Sequence, residues 1–205
     1  MSTPRHRPRQ QRSRFTFDAI LDAAARLFER DGYAATTTNK VAELAGVSIG
    51  TLYHYVPNKD ALLHALAERH LGAGMAALSE VLDGLRRTEP PLEDTVRTLV
   101  EAVAALHRAE PRMHRLLFDQ APRTPEGAER LRALEDSLAA GIEYHLRRLG
   151  VGGPDPGLTA LLLVQAVEAQ VHGAVLRPPA GRSTDTCVTA VTELWTNALR
   201  TRPPN

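Results

Sequence analysis

The sequence predicts an all-α chain of about nine helices, three short ones at the N-terminus and a longer helical part after them. Three observations carry that reading. Apolar residues recur at helical spacing through nearly all of the chain after residue 14. Gly- and Pro-rich breaks separate those stretches. No run of alternating β-branched residues is joined by a hairpin turn. With 205 residues and 43% hydrophobic side chains, the chain suits one or two compact domains and is too apolar for wholesale disorder.

Residues 1–14 hold five Arg, two Pro and no acid, which predicts a disordered basic arm. The first helix is expected near Thr16, a good N-cap, with Asp18 in its first turn. Ile20, Leu21, Ala24, Leu27 and Phe28 share one face, and Gly32 ends the helix as its C′ residue. Thr37 or Thr38 caps a short second helix with Val41, Leu44 and Ala45 inward. Gly46-Val47-Ser48 forms a tight turn, and Ser48 caps a third short helix through Tyr55. Pro57-Asn58 stops it, and a long fourth helix runs from Lys59 to about Arg87. A fifth covers about 92–109, and Pro111 opens a short sixth reaching Asp119. After the loop 121–127 come a seventh helix at about 128–149, an eighth at 158–176 and a ninth at 184–201. GVGGPDPG and RPPAGR break the chain between the last three. The expected domains are therefore the arm at 1–14, a helix-turn-helix domain at 15–58 and a C-terminal domain at 59–205.

The formal net charge is +1, which taken alone argues against a nucleic-acid partner. Its distribution argues the other way. Residues 1–60 carry nine basic and six acidic groups, or +3, and residues 61–205 carry sixteen and eighteen, or −2. Of the 25 basic residues 23 are Arg, and the only lysines, Lys40 and Lys59, both lie in the basic third. The lone cysteine, Cys187, leaves no intramolecular disulfide and fits a reducing cytoplasm. The basic start is followed by no apolar signal core, and Gln165, Glu168, Gln170 and His172 interrupt the most apolar stretch. A cytoplasmic protein without a membrane partner is expected. The eight histidines form no metal-binding motif, and no nucleophile motif is present, so no metal, cofactor or catalytic residue is expected.

The stretch 36–59, TTTNKVAELAGVSIGTLYHYVPNK, reads as two short helices joined by a turn, a helix-turn-helix. In such a motif the first helix braces on the DNA backbone and the second enters the major groove. Val47, Leu52 and Val56 are expected to hold the two-turn third helix against Leu27, Phe28, Val41 and Leu44. Ile49, Gly50, Thr51, Tyr53, His54 and Tyr55 then face away from that core. An isoleucine and two tyrosines on an outer face suit a surface that meets a partner. Ile49 can touch a thymine methyl. Thr37, Tyr53, Tyr55 and Lys59 have the chemistry of phosphate contacts.

Residues 14–66 resemble the DNA-binding domain of the TetR family of transcriptional repressors. The resemblance rests on Ile20-Leu21-Asp22-Ala23-Ala24, Leu27-Phe28, Gly32-Tyr33, Thr36-Thr37, Val41-Ala42, Ala45-Gly46-Val47-Ser48, Gly50-Thr51-Leu52-Tyr53, Tyr55 and Asn58-Lys59. Val56 departs from the Phe frequent in the family, and Thr38 from a common apolar residue. By resemblance, Thr37, Tyr53, Tyr55 and Lys59 contact phosphates. Thr38, where this chain departs from the family, is expected to add a backbone contact, and the capping Ser48 and the outward Thr51 are counted with the DNA-binding residues. Asn39, Ile49, Gly50 and His54 sit where members read bases.

The resemblance also implies a double-stranded DNA operator, a homodimer and a small-molecule effector bound by the C-terminal helices. The dimer would use a small-residue face of Ala166, Ala169 and Gly173 on helix eight. On helix nine it would use Val188, Val191 and Trp195, although both stripes could instead face the subunit's own core. Gln165, Glu168 and His172 form a polar line along helix eight, which is a pocket wall, a solvated edge or a set of hydrogen bonds across the dimer. Met75, Phe118 and Tyr144 are candidate apolar walls. The expected function is a repressor released from a palindromic operator by an effector. The alternative is a DNA-binding regulator controlled by a protein partner.

Overall fold

A computed structural model describes residues 7–120 and 124–200. Among these residues the chain forms nine helices and no strand. They are α1 (Arg7–Ala35), α2 (Thr38–Leu44), α3 (Ile49–Tyr55), α4 (Lys59–Thr88), α5 (Leu92–Ala109), α6 (Pro111–Gln120), α7 (Pro125–Leu149), α8 (Pro156–Leu176) and α9 (Thr184–Arg200). They fall into two compact units. One holds the chain up to Leu71 together with residues 112–122, and the other holds residues 72–111 and 123 onward. No helix among the described residues is long and apolar enough to cross a membrane.

The first unit corrects the arm. Helix α1 begins at Arg7, so residues 7–14 are helical, while residues 1–6 of the expected arm lie outside the described residues. Pro8 falls in the first turn, where its missing N–H costs nothing, and Gln10, Gln11, Arg12 and Arg14 are good helix formers. Thr16 is accordingly no N-cap: its hydroxyl donates back to the Arg12 carbonyl at 3.0 Å. The helix breaks at Gly32, whose φ of 81° and ψ of 165° leave helical space in a region that favours glycine.

Helix α2 buries Val41 and Ala42. Leu44, expected inward, is 46% exposed. A seven-residue helix has room for only one narrow stripe, and Val41, Ala42 and half-buried Ala45 occupy it. The core of this unit joins Ile20, Leu21, Leu27 and Phe28 of α1 to Val41, Leu52, Val56, Leu62, Leu63 and Leu66, with Leu116 and Leu117 of α6 packed against it. Ile20, Leu52, Leu62 and Leu63 have no exposed surface. Each such side chain contributes about 1.5–3 kcal/mol of apolar burial, which is what holds two short helices that could not persist alone.

In the second unit α8 packs on α5, α7 and α9, and α5 also packs on α9. The core runs through Leu82, Val96, Val100, Ala104, Ile142, Leu146, Ala160, Leu163, Val167, Val171, Val188, Val191 and Leu199. Two helices start earlier than expected because side chains cap them there. Thr124 accepts the Gly127 N–H at 3.0 Å ahead of Pro125, and Asp155 accepts the Leu158 N–H at 3.0 Å ahead of Pro156.

Candidate nucleic-acid interface

Helix α3 is set by its two ends. The Ser48 hydroxyl accepts the Thr51 N–H at 3.0 Å and lies 2.8 Å from the Thr51 hydroxyl. At the other end the Val56 N–H bonds the Leu52 carbonyl. Gly46, with φ 69°, makes the sharp reversal from α2. Leu52 at 0% and Val56 at 4% exposure are the anchors. Ile49 at 38% and Tyr53 at 50% exposure stand on the open side with exposed Gly50 and His54. The open face therefore carries an isoleucine and an aromatic ring in water, the composition of a surface that meets a partner.

Two residues placed on that face point elsewhere. Tyr55 is half-buried: its ring stacks on Phe17 with centroids 5.8 Å apart, and its hydroxyl lies 3.1 Å from the Ser13 hydroxyl. It ties α3 to the start of α1, a partner hidden while residues 7–14 were read as disordered. Thr51 is half-buried and joined to Ser48. Around them, Thr37 is the N-cap of α2 and accepts the Lys40 N–H at 3.3 Å. The Thr38 hydroxyl lies 3.1 Å from that of Tyr53, which links α2 to α3 at their outer edge, and Asn39 is exposed.

Both lysines act on the end of α1. Lys40 Nζ donates to the Ala35 carbonyl at 3.0 Å. Lys59 Nζ donates to the Tyr33 carbonyl at 2.7 Å and sits 4.2 Å from the centre of the Tyr33 ring. The last carbonyls of a helix lack internal partners and carry its negative dipole end, so cations belong there. The Tyr33 hydroxyl in turn donates to the Asp60 carboxylate. Burial, then that bond and the charge of Asp60, push the Tyr33 phenol up to about 12. Sequence reading placed Lys59 near a helix start and missed this brace. The available signal was the confinement of both lysines to this one unit.

In the second unit the residues expected to hold a ligand are not all brought together. Glu168 and His172 of α8 meet His107 of α5. His107 is 2% exposed, its Nε2 lies 3.3 Å from Glu168 Oε1, its Nδ1 bonds the Val103 carbonyl at 2.9 Å, and its ring lies edge-on to His172. Burial opposes charging of His107, but the Glu168 carboxylate and the Val103 carbonyl together outweigh it and raise its pKa. Gln165 instead donates to Glu135 at 3.1 Å. Tyr144 is 44% exposed, with its hydroxyl near Glu89 and Arg86 over its ring. Met75 is half-buried. Phe118 falls in the first unit, and its side chain lies outside the described residues.

Of the residues expected at a dimer interface, Val188 and Val191 lie in the unit's own core. Trp195 is half-buried, its indole N–H donating to Gln170 at 3.0 Å. Ala166 is half-buried, whereas Ala169 and Gly173 are exposed. Among the described residues, the large apolar side chains left open on α8 and α9 are Leu158, Leu162 and Leu194, each more than half exposed.

Two short helices joined by a tight turn, with α3 capped at Ser48, anchored by buried Leu52 and Val56 and open on its outer face, have the architecture of a helix-turn-helix DNA-binding module. Residues 20–66 match the family described as bacterial regulatory proteins, tetR family, and residues 91–194 match the tetracyclin repressor-like C-terminal domain. The chain belongs to the TetR family of bacterial regulatory proteins. It is 32% identical over 90 residues to the transcriptional repressor KstR2 of Rhodococcus jostii, a match covering 44% of each chain. The curated relatives are matched over 26% to 58% of their own length, less than two thirds in each case. Among solved structures, a protein of unknown function from Rhodococcus sp. RHA1 superposes with a TM-score of 0.72 at 22% identity, covering 91% of this chain and 96% of that one. SmeT in complex with triclosan superposes with a TM-score of 0.64 at 24% identity, over 89% and 90% of the two chains.

Proposed function

We propose that the chain is a repressor that binds a palindromic operator as a homodimer and is released by a small-molecule effector. The observation that carries the DNA half is the division of α3 into a fully buried anchor, Leu52, and an open face of Ile49, Gly50, Tyr53 and His54. Ile49, Gly50, His54 and Asn39 read bases, while Tyr53, Thr37, Thr38 and Lys59 meet phosphates. Lys59 keeps donor capacity for this, since its ammonium carries three N–H groups and the Tyr33 carbonyl takes one.

Dimerisation through α8 and α9 is supported by Leu158 and Leu162, which share the outer stripe of α8 with Ala169 and Gly173, and by Leu194 of α9. Two copies related by a two-fold axis would cover these residues, and a two-fold protein reads two-fold DNA. The effector belongs in the second unit, with His107, Glu168 and His172 as its polar anchor. KstR2 is named as a repressor, and SmeT was solved with triclosan. Release requires that the effector bind the DNA-incompetent state better than the competent one.

The test is operator binding by a Tyr53→Ala/Lys59→Ala double variant on DNA from upstream of the chain's own gene. Wild-type affinity falls steeply with salt, and the variant loses affinity for every sequence with a shallower slope. Full operator affinity in the variant would sink this docking.

A further inference from the structure

We propose that the first turns of α1 carry a second phosphate-binding site, in which Arg12 and Arg14 grip the DNA backbone beside the half-site read by α3. It rests on the docking of α3 in the major groove given above. Residues 7–17 hold four Arg and no acid, and the first carboxylate of α1 is Asp18. Arg12 and Arg14 are exposed, and no ion pair or hydrogen bond among the described residues engages either guanidinium. Arg30 and Arg69, by contrast, pair with Asp31 and Asp22, and the two lysines brace the end of α1.

A chain of contacts sets the two arginines at the edge of the reading face. His54 belongs to that face, and its ring lies edge-on to Tyr55, with centroids 5.6 Å apart and planes inclined by 84°. Tyr55 stacks on Phe17, and its hydroxyl lies 3.1 Å from that of Ser13. Successive residues of a helix stand about 100° apart, so Arg12 and Arg14 flank Ser13, one on each side. The basic turns of α1 therefore border the C-terminal end of α3. A helix in the major groove has base edges under its open face and a sugar-phosphate strand along each border. The partner at this edge is phosphate.

The residue types suit that partner. A guanidinium stays charged at any physiological pH and offers a planar fork of N–H groups that matches two phosphate oxygens. The hydroxyl pair adds a neutral donor: it holds two protons and its own bond uses one, which leaves one O–H for an outside acceptor. The tie between α1 and α3 sets these groups in place before DNA arrives, so less ordering entropy is lost on binding. Contacts to phosphate carry no sequence information, so the site adds affinity and lengthens the footprint without changing the preferred bases. An acidic peptide matches the charge as well, and continuity with the reading face is what favours DNA.

The test is ethylation interference with the full chain on a duplex from upstream of its own gene. Ethylation removes a phosphate's charge and blocks binding wherever the protein grips that phosphate. With the wild type, each half-site shows at least one blocking phosphate that no longer blocks in Arg12→Gln/Arg14→Gln, while the other blocking phosphates remain. The same double variant binds about tenfold more weakly, and the salt dependence of its binding falls by about two counterions. Arg26→Gln, also exposed but about 18 Å further along the helix, changes neither. Should the double variant melt lower than the wild type, Arg14→Gln alone carries the test, with a loss of about one counterion. An unchanged interference pattern with an unchanged salt dependence overturns the site, as does an equal change in Arg26→Gln. Docking of α3 is read separately from Tyr53→Ala/Lys59→Ala. Full affinity in that variant sinks the docking, whereas lost affinity there beside an unchanged Arg12→Gln/Arg14→Gln sinks this site alone.

Discussion

Gly50→Ala separates the needs of the fold from those of the reading face. Gly50 is the second residue of α3, and a Cβ built there meets only the Ser48 hydroxyl, at 3.8 Å. That is ordinary van der Waals contact, so the protein itself has room for alanine. Helix propensity favours the change by up to about 1 kcal/mol in a helix interior and by less in a first turn, so a few tenths to about 1 kcal/mol is expected here. For a unit of this size that raises the melting temperature by about 2–6 °C. If α3 lies in a major groove, the added methyl group stands between the helix and the base edges, and operator affinity falls at least tenfold. The assay is a thermal melt beside a fluorescence-anisotropy titration with operator DNA. A variant that melts higher and binds as tightly as the wild type would show that no DNA approaches Gly50. A variant that melts lower would refute the reading of free space.

Three other perturbations test separate links. Lys59→Gln removes the bond to the Tyr33 carbonyl and the contact with its ring, and together these are worth about 1–3 kcal/mol, so the first unit melts several degrees lower. If Lys59 also meets a phosphate, the salt dependence of operator binding drops by about one counterion, and salt titration separates the two roles. Leu52→Ala empties a fully buried position and costs about 2–5 kcal/mol, seen as loss of DNA binding and a lower denaturant midpoint for this unit. His145 is fully buried, and burial first, then Arg148 and Arg86, hold its pKa below the ordinary value. The unfolded chain therefore takes up a proton first as pH falls, and stability is lost below about pH 6.5. His145→Leu should flatten the fall in melting temperature between pH 7 and pH 5, and an equally steep fall in the variant would assign the acid sensitivity elsewhere.

Most of the fold was legible because its signals are local. Apolar spacing, the Thr and Ser caps of α2 and α3, and Pro or Gly breaks each act within a few residues, and they located all the helices to within a few positions except at the start of α1. That exception has the same cause. Arg-rich composition reads as solvated chain, whereas the helix is held by partners far away in sequence: Phe17 and Ser13 engage Tyr55, some 40 residues on. The inward and outward faces of α3 were legible at Leu52, Val56, Ile49 and Tyr53 but not at Tyr55, which needed α1 to be in place. Long-range polar pairs were not legible at all. Lys59 with Tyr33, His107 with Glu168 and His70 with His114 join different helices, and no periodicity within either helix encodes the meeting. On α9, Val188 and Val191 showed that a stripe is apolar without showing which neighbour it faces.

Selection of bound sequences from a random DNA pool tests the central claim most directly. With the wild-type chain the account predicts enrichment of an inverted repeat, its half-sites centred about one helical turn, or a multiple of it, apart, as two α3 helices on a two-fold axis require. It also predicts that Ile49→Ala and His54→Ala shift the preferred bases within each half-site, whereas Lys59→Gln weakens binding without changing them. Enrichment of a single unrepeated site, or an unchanged motif in both α3 variants, would contradict a dimer that reads DNA with this helix.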